Sequence, residues 1–250
     1  MTFLKFKLFW PSVFIFTFLF LYLFCWPIYQ VLQLKNNYPL VMDATVNDSS
    51  RYLFTPERPQ YWRGIKEISP KLAATLIVSE DSNFYTHHGF DWEMISDNIQ
   101  NFLSGSDKLR GGSTLTQQLS KNLFLSPSKS LWRKLREIIY TTLMEMTFNK
   151  RELLELYLNS VEFGGEIFGI NQASNYYFSK SPGDLTPREA AFLIMLLPNP
   201  PKYATSFNQK ELTPYARKTI ANILNFMVIA GHLTDDERKT QLATPFSWEK

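Results

Sequence analysis

The chain has 250 residues, of which 45% are hydrophobic and 16% aromatic, and its formal net charge is +3. This length suits one large domain or two modest ones, and the composition is that of a folded chain. Without Lys5 and Lys7 the chain is close to neutral, which argues against a nucleic-acid interface. Cys25 is the only cysteine, so no disulfide can form within the chain and stability must come from a packed core.

An uncharged, strongly apolar run covers residues 8–34. It is longer than the ~20 residues needed to cross a bilayer, and no small-residue cleavage site follows it. We therefore expect a cytoplasmic tail over residues 1–7 and an uncleaved transmembrane helix over residues 8–30; a cleaved signal peptide is the alternative. Lys5 and Lys7 predict that the N-terminus lies in the cytoplasm and that the rest of the chain lies outside it.

The remainder divides into a connector and one domain. Residues 31–66 contain scattered prolines and asparagines without a sustained period, which predicts a connector with one short strand near residues 39–44. Helical periods dominate residues 67–245, so we expect a single, mostly α domain there.

Capping signals indicate where the helices begin. A Ser, Thr, Asn or Asp side chain at an N-cap accepts hydrogen bonds from free N–H groups of the first turn, and Pro is favoured at the first helical position. Helices are expected to begin at or after Ser69, Asp91, Ser113, Ser130, Asn149, Thr186 and Thr234. The first of them is nearly all apolar and should be buried. It ends at Glu80, where the negative end of the helix dipole should raise the pKa of the carboxyl group.

The stretch from Glu80 to Glu137 is dense in carboxylates, amides and cations. Glu80 and Asp81 follow an apolar helix, and His87 comes one loop later. An acidic pair after a helix is most often a solvated helix end, and His87 alone is more simply a structural residue that orients the loop. A zinc site is disfavoured because no further Cys or His lies at ligand spacing.

Residues 111–114 (GGST) precede the next helix. Glycines before a helix N-terminus let backbone N–H groups approach an anion, although a plain turn with a hydroxyl cap is the simpler explanation. Gln117 and Lys121 are four residues apart and share one helix face, with Gln118 beside them. Amides and a cation over an apolar floor favour binding of a sugar phosphate.

Arg133 and Lys134 precede Glu137 by four and three residues, so these charges cluster on one helix face. A charge run is usually a solvated face, but an exposed i,i+4 pair contributes only about 0.3–0.5 kcal/mol, so structural need explains this cluster poorly. The buried stripe of the helix is expected to be Leu131, Leu135, Ile138, Ile139 and Met146.

Two carboxylates with neighbouring cations favour glycosidic chemistry. One carboxylate would move a proton at a sugar hydroxyl, and the second would stabilise charge or position a partner. A pyrophosphate leaving group needs cations rather than a proton. The cations available for it are Lys121, Lys129, Arg133 and Lys134.

Over about residues 68–197 the chain resembles the peptidoglycan glycosyltransferases of glycosyltransferase family 51. Five motifs in order carry the resemblance: E-D-x-x-F-x-x-H-x-G from Glu80, G-x-S-T-x-x-Q-Q-x-x-K-N from Gly111 to Asn122, R-K-x-x-E from Arg133, an acid with Y-L-N from Glu155 to Asn159, and A-x-x-x-Y-F-x-K from Ala173 to Lys180.

The resemblance implies a lysozyme-like, two-lobed fold and an inverting enzyme that polymerises lipid II and releases undecaprenyl pyrophosphate. It implies that Glu80 is the general base on the acceptor's 4-hydroxyl and that Glu137 acts at the donor pyrophosphate. The residues expected to bind or support the substrate are Asp81, His87, Ser113, Thr114, Gln117, Gln118, Lys121, Asn122, Lys129, Arg133 and Lys134. Lys129 stands where relatives often carry Arg, which keeps the charge but loses the bidentate fork.

The resemblance further implies a single-pass protein of the cytoplasmic (inner) membrane with its catalytic domain on the periplasmic side. Residues 90–109 are expected to form a mobile, lipid-facing lobe. The partners implied are lipid II, the growing glycan strand, the membrane and proteins of a cell-wall synthesis complex, and no nucleic acid. The resemblance implies no definite cofactor, but it allows a divalent cation, Mg²⁺ or Mn²⁺, beside the donor pyrophosphate.

The chain ends soon after the transferase-like part, so we expect a monofunctional enzyme without a transpeptidase domain. Two other classes stay open. A lysozyme-like hydrolase or lytic transglycosylase would need one essential acid and no pyrophosphate cations, so the cation cluster argues against it. A catalytically inactive scaffold is the other class, and the presence of both glutamates argues against it.

Overall fold

A computed structural model describes residues 13–14, 17–18, 20–41, 52–105, 112–126 and 130–249. These residues are mostly helical, with one two-stranded antiparallel sheet. A π-helical turn (Leu21–Cys25) leads into the first complete helix. The elements are α1 (Trp26–Asn36), β1 (Tyr38–Val41), β2 (Tyr52–Thr55), α2 (Pro70–Glu80), α3 (Trp92–Leu103), α4 (Leu115–Phe124), α5 (Leu131–Thr147), α6 (Lys150–Ser160), α7 (Ile170–Phe178), α8 (Pro187–Leu196), α9 (Pro200–Tyr203), α10 (Thr205–Gln209), α11 (Pro214–Ile229) and α12 (Asp235–Ala243).

The domain is built around α8, all of whose residues are buried. A helix that is apolar on every side must be enclosed by other elements. Helices α2 and α11 pack against it and against each other. Helix α4 packs against both α5 and α6, so the helices that carry Gln118, Glu137 and Tyr157 meet in one region.

Most of the predicted caps are confirmed. The side chains of Asp91, Ser130, Asn149, Thr186 and Thr234 each accept a backbone N–H hydrogen bond from the first turn of the helix that follows. Ser69 occupies the N-cap position of α2, but its side chain makes no capping hydrogen bond.

The predicted cap of α4 is wrong by one residue, because Thr114 and not Ser113 is the N-cap. The Thr114 hydroxyl accepts from the Gln117 backbone N–H at 3.2 Å, and Gln117 Oε1 accepts from the Thr114 N–H at 3.0 Å. Such a reciprocal box requires a Gln or Glu three residues after the cap. Gln117 stands at this spacing from Thr114, whereas Ser113 has Thr116 there.

The connector contains two strands where one was predicted. β1 pairs antiparallel with β2, with Tyr38 opposite Thr55, and residues 42–44 of the predicted strand lie outside the described part of the chain. The connector is fastened to α6: Trp62 Nε1 donates to Glu155 Oε1 at 2.8 Å, and Tyr52 Oη donates to the Ser160 carbonyl at 2.6 Å.

The buried stripe predicted for α5 is wrong. Leu131 and Met146 are 81% and 78% exposed, Leu135 and Ile138 are exposed as well, and Ile139 is half-buried. The buried face is instead made of Glu137, Tyr140, Thr141 and Met144. Both sets repeat at three- and four-residue spacing, so periodicity alone did not separate them. The polar face is buried because α4 and α1 provide hydrogen-bond partners for it.

The prediction that α2 is buried holds in part. Leu72, Thr75 and Leu76 are fully buried, and the rest of the helix is half-buried or exposed. Helix α2 packs on α8 and α11 with its buried face. Glu80, at its end, is half-buried.

No helix within the described residues is both long and apolar enough to cross a membrane. The predicted cytoplasmic tail (1–7) lies outside the described residues, as do residues 8–12, 15, 16 and 19 of the predicted span. The helical segment that is described packs against α5. Its Gln30 Oε1 accepts a hydrogen bond from the Tyr140 hydroxyl, and Arg136 of α5 donates to the Tyr22 hydroxyl at 3.2 Å.

Candidate active site

Asp81 joins the end of α2 to the start of α4. Its side chain is buried, and its two oxygens accept from two different elements: Oδ1 from His87 Nε2 at 2.8 Å and Oδ2 from the Leu115 backbone N–H at 2.8 Å. His87 Nδ1 accepts from the Gly89 N–H at 3.1 Å, so the ring hydrogen lies on Nε2 and is donated to Asp81. Asp81 and His87 therefore form a structural bridge, as the simpler reading of His87 predicted.

Gly89 allows this loop to approach α4 and α5 closely. Its φ is +88°, and a Cβ there would lie 2.9 Å from Thr141 Cγ2. The Gly89 carbonyl accepts from the Thr114 hydroxyl at 2.7 Å. A larger residue would be strained in backbone conformation and would push α5 away, so Gly89 is required for the junction between the loop and the two helices.

Glu80 lies at the end of α2, half-buried against α4. Gln118 Nε2 donates to Glu80 Oε2 at 3.2 Å. Burial raises the pKa of Glu80 above its ordinary value, the Gln118 hydrogen bond lowers it, and the neighbouring charge of Asp81 raises it. The direction agrees with the sequence prediction, but the main cause is loss of hydration rather than the helix dipole.

Glu137 lies on the buried face of α5 among cations. Arg133 Nη1 donates to Glu137 Oε2 at 3.0 Å, and Lys134 Nζ donates to Oε1. The Glu137 side chain is 4% exposed, compared with 20% for Arg133 and 43% for Lys134. The cations thus stand between this carboxylate and solvent.

Two adjacent amides of α4 connect the two glutamates. Gln118 contacts Glu80, and Gln117 Nε2 lies 3.5 Å from Glu137 Oε1 while its own Oε1 closes the capping box. The first turn of α4 therefore lies between the two carboxylates. The sequence predicted that Gln117 and Gln118 bind or support the substrate, but it did not assign each of them to a glutamate.

Lys121 belongs to the same group of charges. It keeps contact with solvent, yet partial burial of its amino group lowers its pKa; Arg133 and Lys134 lower it further, and Glu137 acts in the opposite direction. Ser113, in the turn before α4, and Asn122, on α4, are half-buried. Lys129 lies outside the described residues.

The structure also shows contacts near the site that the sequence did not predict. Tyr157 of α6, quoted above only as part of a motif, donates to Gln118 Oε1 at 2.9 Å. Behind the Asp81 loop, Glu145 accepts from the Thr116 hydroxyl at 2.6 Å and from Lys150 Nζ at 2.8 Å. Glu145 and Lys150 lie on different helices, so no periodicity could pair them.

Other motif residues serve the architecture. Glu155 accepts from Trp62 and from the Ile65 N–H at 2.8 Å, and Asn159 Oδ1 accepts from the Arg63 N–H at 2.8 Å. These two residues of the fourth motif hold the connector against α6, and they do not line the site.

The donor set does not fit a metal ion held by the protein alone. Both oxygens of Glu137 are paired with cations, and both oxygens of Asp81 accept from His87 and Leu115. Within the described part of the chain no three His, Cys, Asp or Glu side chains converge as ligands.

The site combines Glu80, a half-buried carboxyl group with a raised pKa, with Glu137, a carboxylate paired with two cations. Two carboxyl groups in such different surroundings are the groups that chemistry at a glycosidic carbon uses. Three cations, Lys121, Arg133 and Lys134, stand beside the second carboxylate. This arrangement favours a transferase with an anionic leaving group over a simple hydrolase.

Comparison with known proteins agrees with this class. The transglycosylase family model matches residues 49–227. A biosynthetic peptidoglycan transglycosylase of Acinetobacter baylyi is 45% identical over 161 residues, which are 64% of this chain and 72% of that protein. Relatives with the same name occur in Acinetobacter baumannii strain SDF (38% identical, 74% of this chain, 82% of that protein) and Chromobacterium violaceum (43% identical, 63% and 68%). The chain belongs to the transglycosylase family, glycosyltransferase family 51, and is a glycosyltransferase.

Proposed function

We propose that this enzyme polymerises lipid II into peptidoglycan glycan strands and releases undecaprenyl pyrophosphate. The relatives named biosynthetic peptidoglycan transglycosylases support the substrate class. The observation that carries the proposal is the contrast between the two glutamates. Burial raises the pKa of Glu80, which suits a proton acceptor, whereas both oxygens of Glu137 are paired with cations.

In the proposed reaction the 4-hydroxyl oxygen of the acceptor's GlcNAc attacks the anomeric carbon of the donor's MurNAc. Its proton passes to the Glu80 carboxylate, and the bond from the anomeric carbon to the pyrophosphate oxygen breaks. A single displacement inverts the configuration from α to β. The pyrophosphate leaves with its electron pair and needs positive charge rather than a proton.

The cations of α4 and α5 match this need. Lys121, Arg133 and Lys134 against the one carboxylate of Glu137 leave a net charge of +2 in the cluster. Arg133 and Lys134 are more exposed than Glu137, so a pyrophosphate would meet the cations first.

Glu137 is therefore proposed to hold Arg133 and Lys134 in place at the leaving-group side. This is a positioning role rather than direct contact, because the carboxylate lies behind both cations. No step of the proposed reaction is routed through Mg²⁺ or Mn²⁺, since the protein's own cations supply the charge.

The proposal includes a location: the enzyme is held at the membrane with its catalytic domain on the periplasmic side. Large apolar side chains are exposed on two helices, namely Trp92, Ile99, Phe102 and Leu103 on α3 and Leu131, Leu135, Ile138 and Met146 on α5. Monomeric soluble domains rarely expose large apolar patches, and a bilayer would cover these side chains. Anchoring beside a lipid-linked substrate raises its effective concentration.

One assay distinguishes this proposal from the two alternatives, a hydrolase and an inactive scaffold. Purified full-length protein in detergent or vesicles is given labelled lipid II, and in parallel finished peptidoglycan. Polymer from lipid II supports the proposal, whereas cleavage of finished glycan without polymerisation supports a hydrolase. Absence of both activities supports a scaffold.

Glu80→Gln tests the proposed base directly. The substitution keeps the size of the side chain and one oxygen that can accept from Gln118, but an amide is not a base. Polymerisation should therefore fall by at least about 10²-fold. Glu162→Gln, on the loop after α6, is the matched control and should polymerise at the wild-type rate. Near-wild-type polymerisation by Glu80→Gln would remove Glu80 from the base role.

A further inference from the structure

A chain of hydrogen bonds runs from the interior of the domain to Glu80. The Tyr157 side chain is 1% exposed, and its hydroxyl donates to Gln118 Oε1 at 2.9 Å. Gln118 Nε2 donates in turn to Glu80 Oε2 at 3.2 Å. The three side chains belong to α6, α4 and α2, so the contact joins three helices that meet at the site.

The Gln118 amide has one orientation that satisfies all its neighbours. Its Nε2 lies near two acceptors, Glu80 Oε2 and the Ser113 carbonyl at 3.5 Å. Rotation of the amide by 180° would turn Oε1 toward a carboxylate and a carbonyl, which are both acceptors. In the observed orientation Oε1 receives the Tyr157 hydroxyl hydrogen, and burial raises the pKa of Tyr157 well above its ordinary value, so the phenol keeps this hydrogen at neutral pH.

We propose that Tyr157 is a positioning residue for the reaction: its hydroxyl holds the Gln118 amide with the N–H toward Glu80 and so sets the pH at which Glu80 can accept a proton. The inference rests on the proposed function of Glu80 as general base. Tyr157 touches neither the substrate nor the reacting atoms in this scheme, and acts only through Gln118.

The surroundings of Glu80 explain why one amide matters. Among the described residues, Gln118 is the only group that lowers the pKa of Glu80, against burial and the charge of Asp81. Lys121 of α4 is turned toward Glu137 instead. Helices α8 and α11 also pack on α2, and none of their charged residues acts on the Glu80 carboxylate. These residues are Arg188, Glu189, Arg217 and Lys218.

The test is the pH dependence of kcat/KM for lipid II polymerisation by the full-length protein. Tyr157→Phe removes one oxygen and keeps the ring. Without the hydroxyl the amide keeps its two acceptors but loses the donor that holds Oε1, so its N–H is held less firmly toward Glu80 and the carboxylate is less stabilised. The acidic limb of the pH profile should therefore move to higher pH by roughly half a unit to one unit. A purely structural role would lower the rate at every pH and leave the limb in place.

Gln118→Leu removes the amide itself and should shift the limb in the same direction, at least as far. In the double variant the loss of the Tyr157 hydroxyl should add no further shift, because the group through which it acts is gone. Tyr52→Phe is the matched control: it removes another buried hydroxyl, which donates to the Ser160 carbonyl at 2.6 Å, and should leave the limb unmoved.

The outcomes separate this inference from the proposed function. Polymerisation by Glu80→Gln at the wild-type rate overturns the proposed function and the inference with it. An inactive Glu80→Gln together with an unmoved limb in Tyr157→Phe overturns the inference alone. A full extra shift from Tyr157→Phe in the Gln118→Leu background shows direct action and also overturns it. If Tyr157→Phe does not fold, Gln118→Leu decides, because an unmoved limb in that variant removes the proposed path.

Discussion

The Asp81 bridge offers the most direct prediction about how the site is held. In Asp81→Asn the side chain keeps one acceptor oxygen and gains an NH₂ group, while two buried donors, His87 Nε2–H and the Leu115 N–H, still point at it. One of these donors loses its acceptor. A hydrogen bond to a charged group contributes ~1.5–3 kcal/mol, and an unsatisfied buried donor costs ~1–3 kcal/mol.

We therefore expect Asp81→Asn to lower the free energy of unfolding by about 2–4 kcal/mol. For a domain of this size that corresponds to a fall of roughly 5–15 °C in Tm. Circular dichroism melts of wild type and variant measure it, together with polymerisation at a temperature where both are folded. Asp236→Asn is the control, since its side chain is 94% exposed, and its Tm should stay close to that of wild type.

Two results would refute this reasoning. An unchanged Tm with lost polymerisation would place Asp81 in the chemistry rather than in the bridge. An unchanged Tm with unchanged polymerisation would show that the bridge between α2 and α4 contributes no stability.

Three further predictions concern neighbouring residues. His87→Gln, which keeps a donor at the position of Nε2, should retain most of the stability, whereas His87→Ala should lose about 1–3 kcal/mol in denaturant unfolding; equal losses would contradict the donor role. The pKa of Glu80 is higher in the folded state than in the unfolded state, so ionisation of Glu80 destabilises the fold at pH values above the folded pKa. At pH values below the unfolded pKa the carboxyl group is protonated in both states and has no such effect. Glu80→Gln should therefore raise Tm at pH 8 but not at pH 4, and a pH-independent change would contradict the burial of the charge. Lys121→Met should lower kcat/KM for lipid II by about 10- to 100-fold, with exposed Lys218→Met as the control, and an unchanged kcat/KM would exclude Lys121 from the pyrophosphate side.

The sequence alone located the starts of seven helices, α4 to within one residue, because those starts depend on local chemistry; it predicted no start for α7, α9, α10 or α11. Capping side chains such as Ser130 and Thr186 act within one helical turn, so a four-residue window contains the whole interaction. The same holds for the ion pair of Arg133 and Glu137, which the four-residue spacing predicted and the structure confirms. The family could also be predicted, since the five motifs occur in order within the sequence itself.

Only the tertiary structure decided which helix faces are buried. On α5 two sets of residues share the same spacing, and the buried set contains Glu137 and Tyr140 because α4 and α1 supply partners for them. The apolar residues Leu131, Leu135, Ile138 and Met146 lie outside this face and are exposed. Burial of a polar group depends on groups distant in sequence, and no local pattern contains them.

The same reason limits what the sequence said about the site. It placed Glu80, Gln118 and Tyr157 on three separate helices, 38 or more residues apart in neighbouring pairs. It predicted roles for Glu80 and Gln118 but none for Tyr157. That the amide of Gln118 faces Glu80, and that Tyr157 holds it there, follows only from the packing of those helices. Residue chemistry, spacing and the five motifs thus predicted the family and the pairing of Glu137 with Arg133, while only the contacts between helices show that Gln118 donates to Glu80 and accepts from Tyr157.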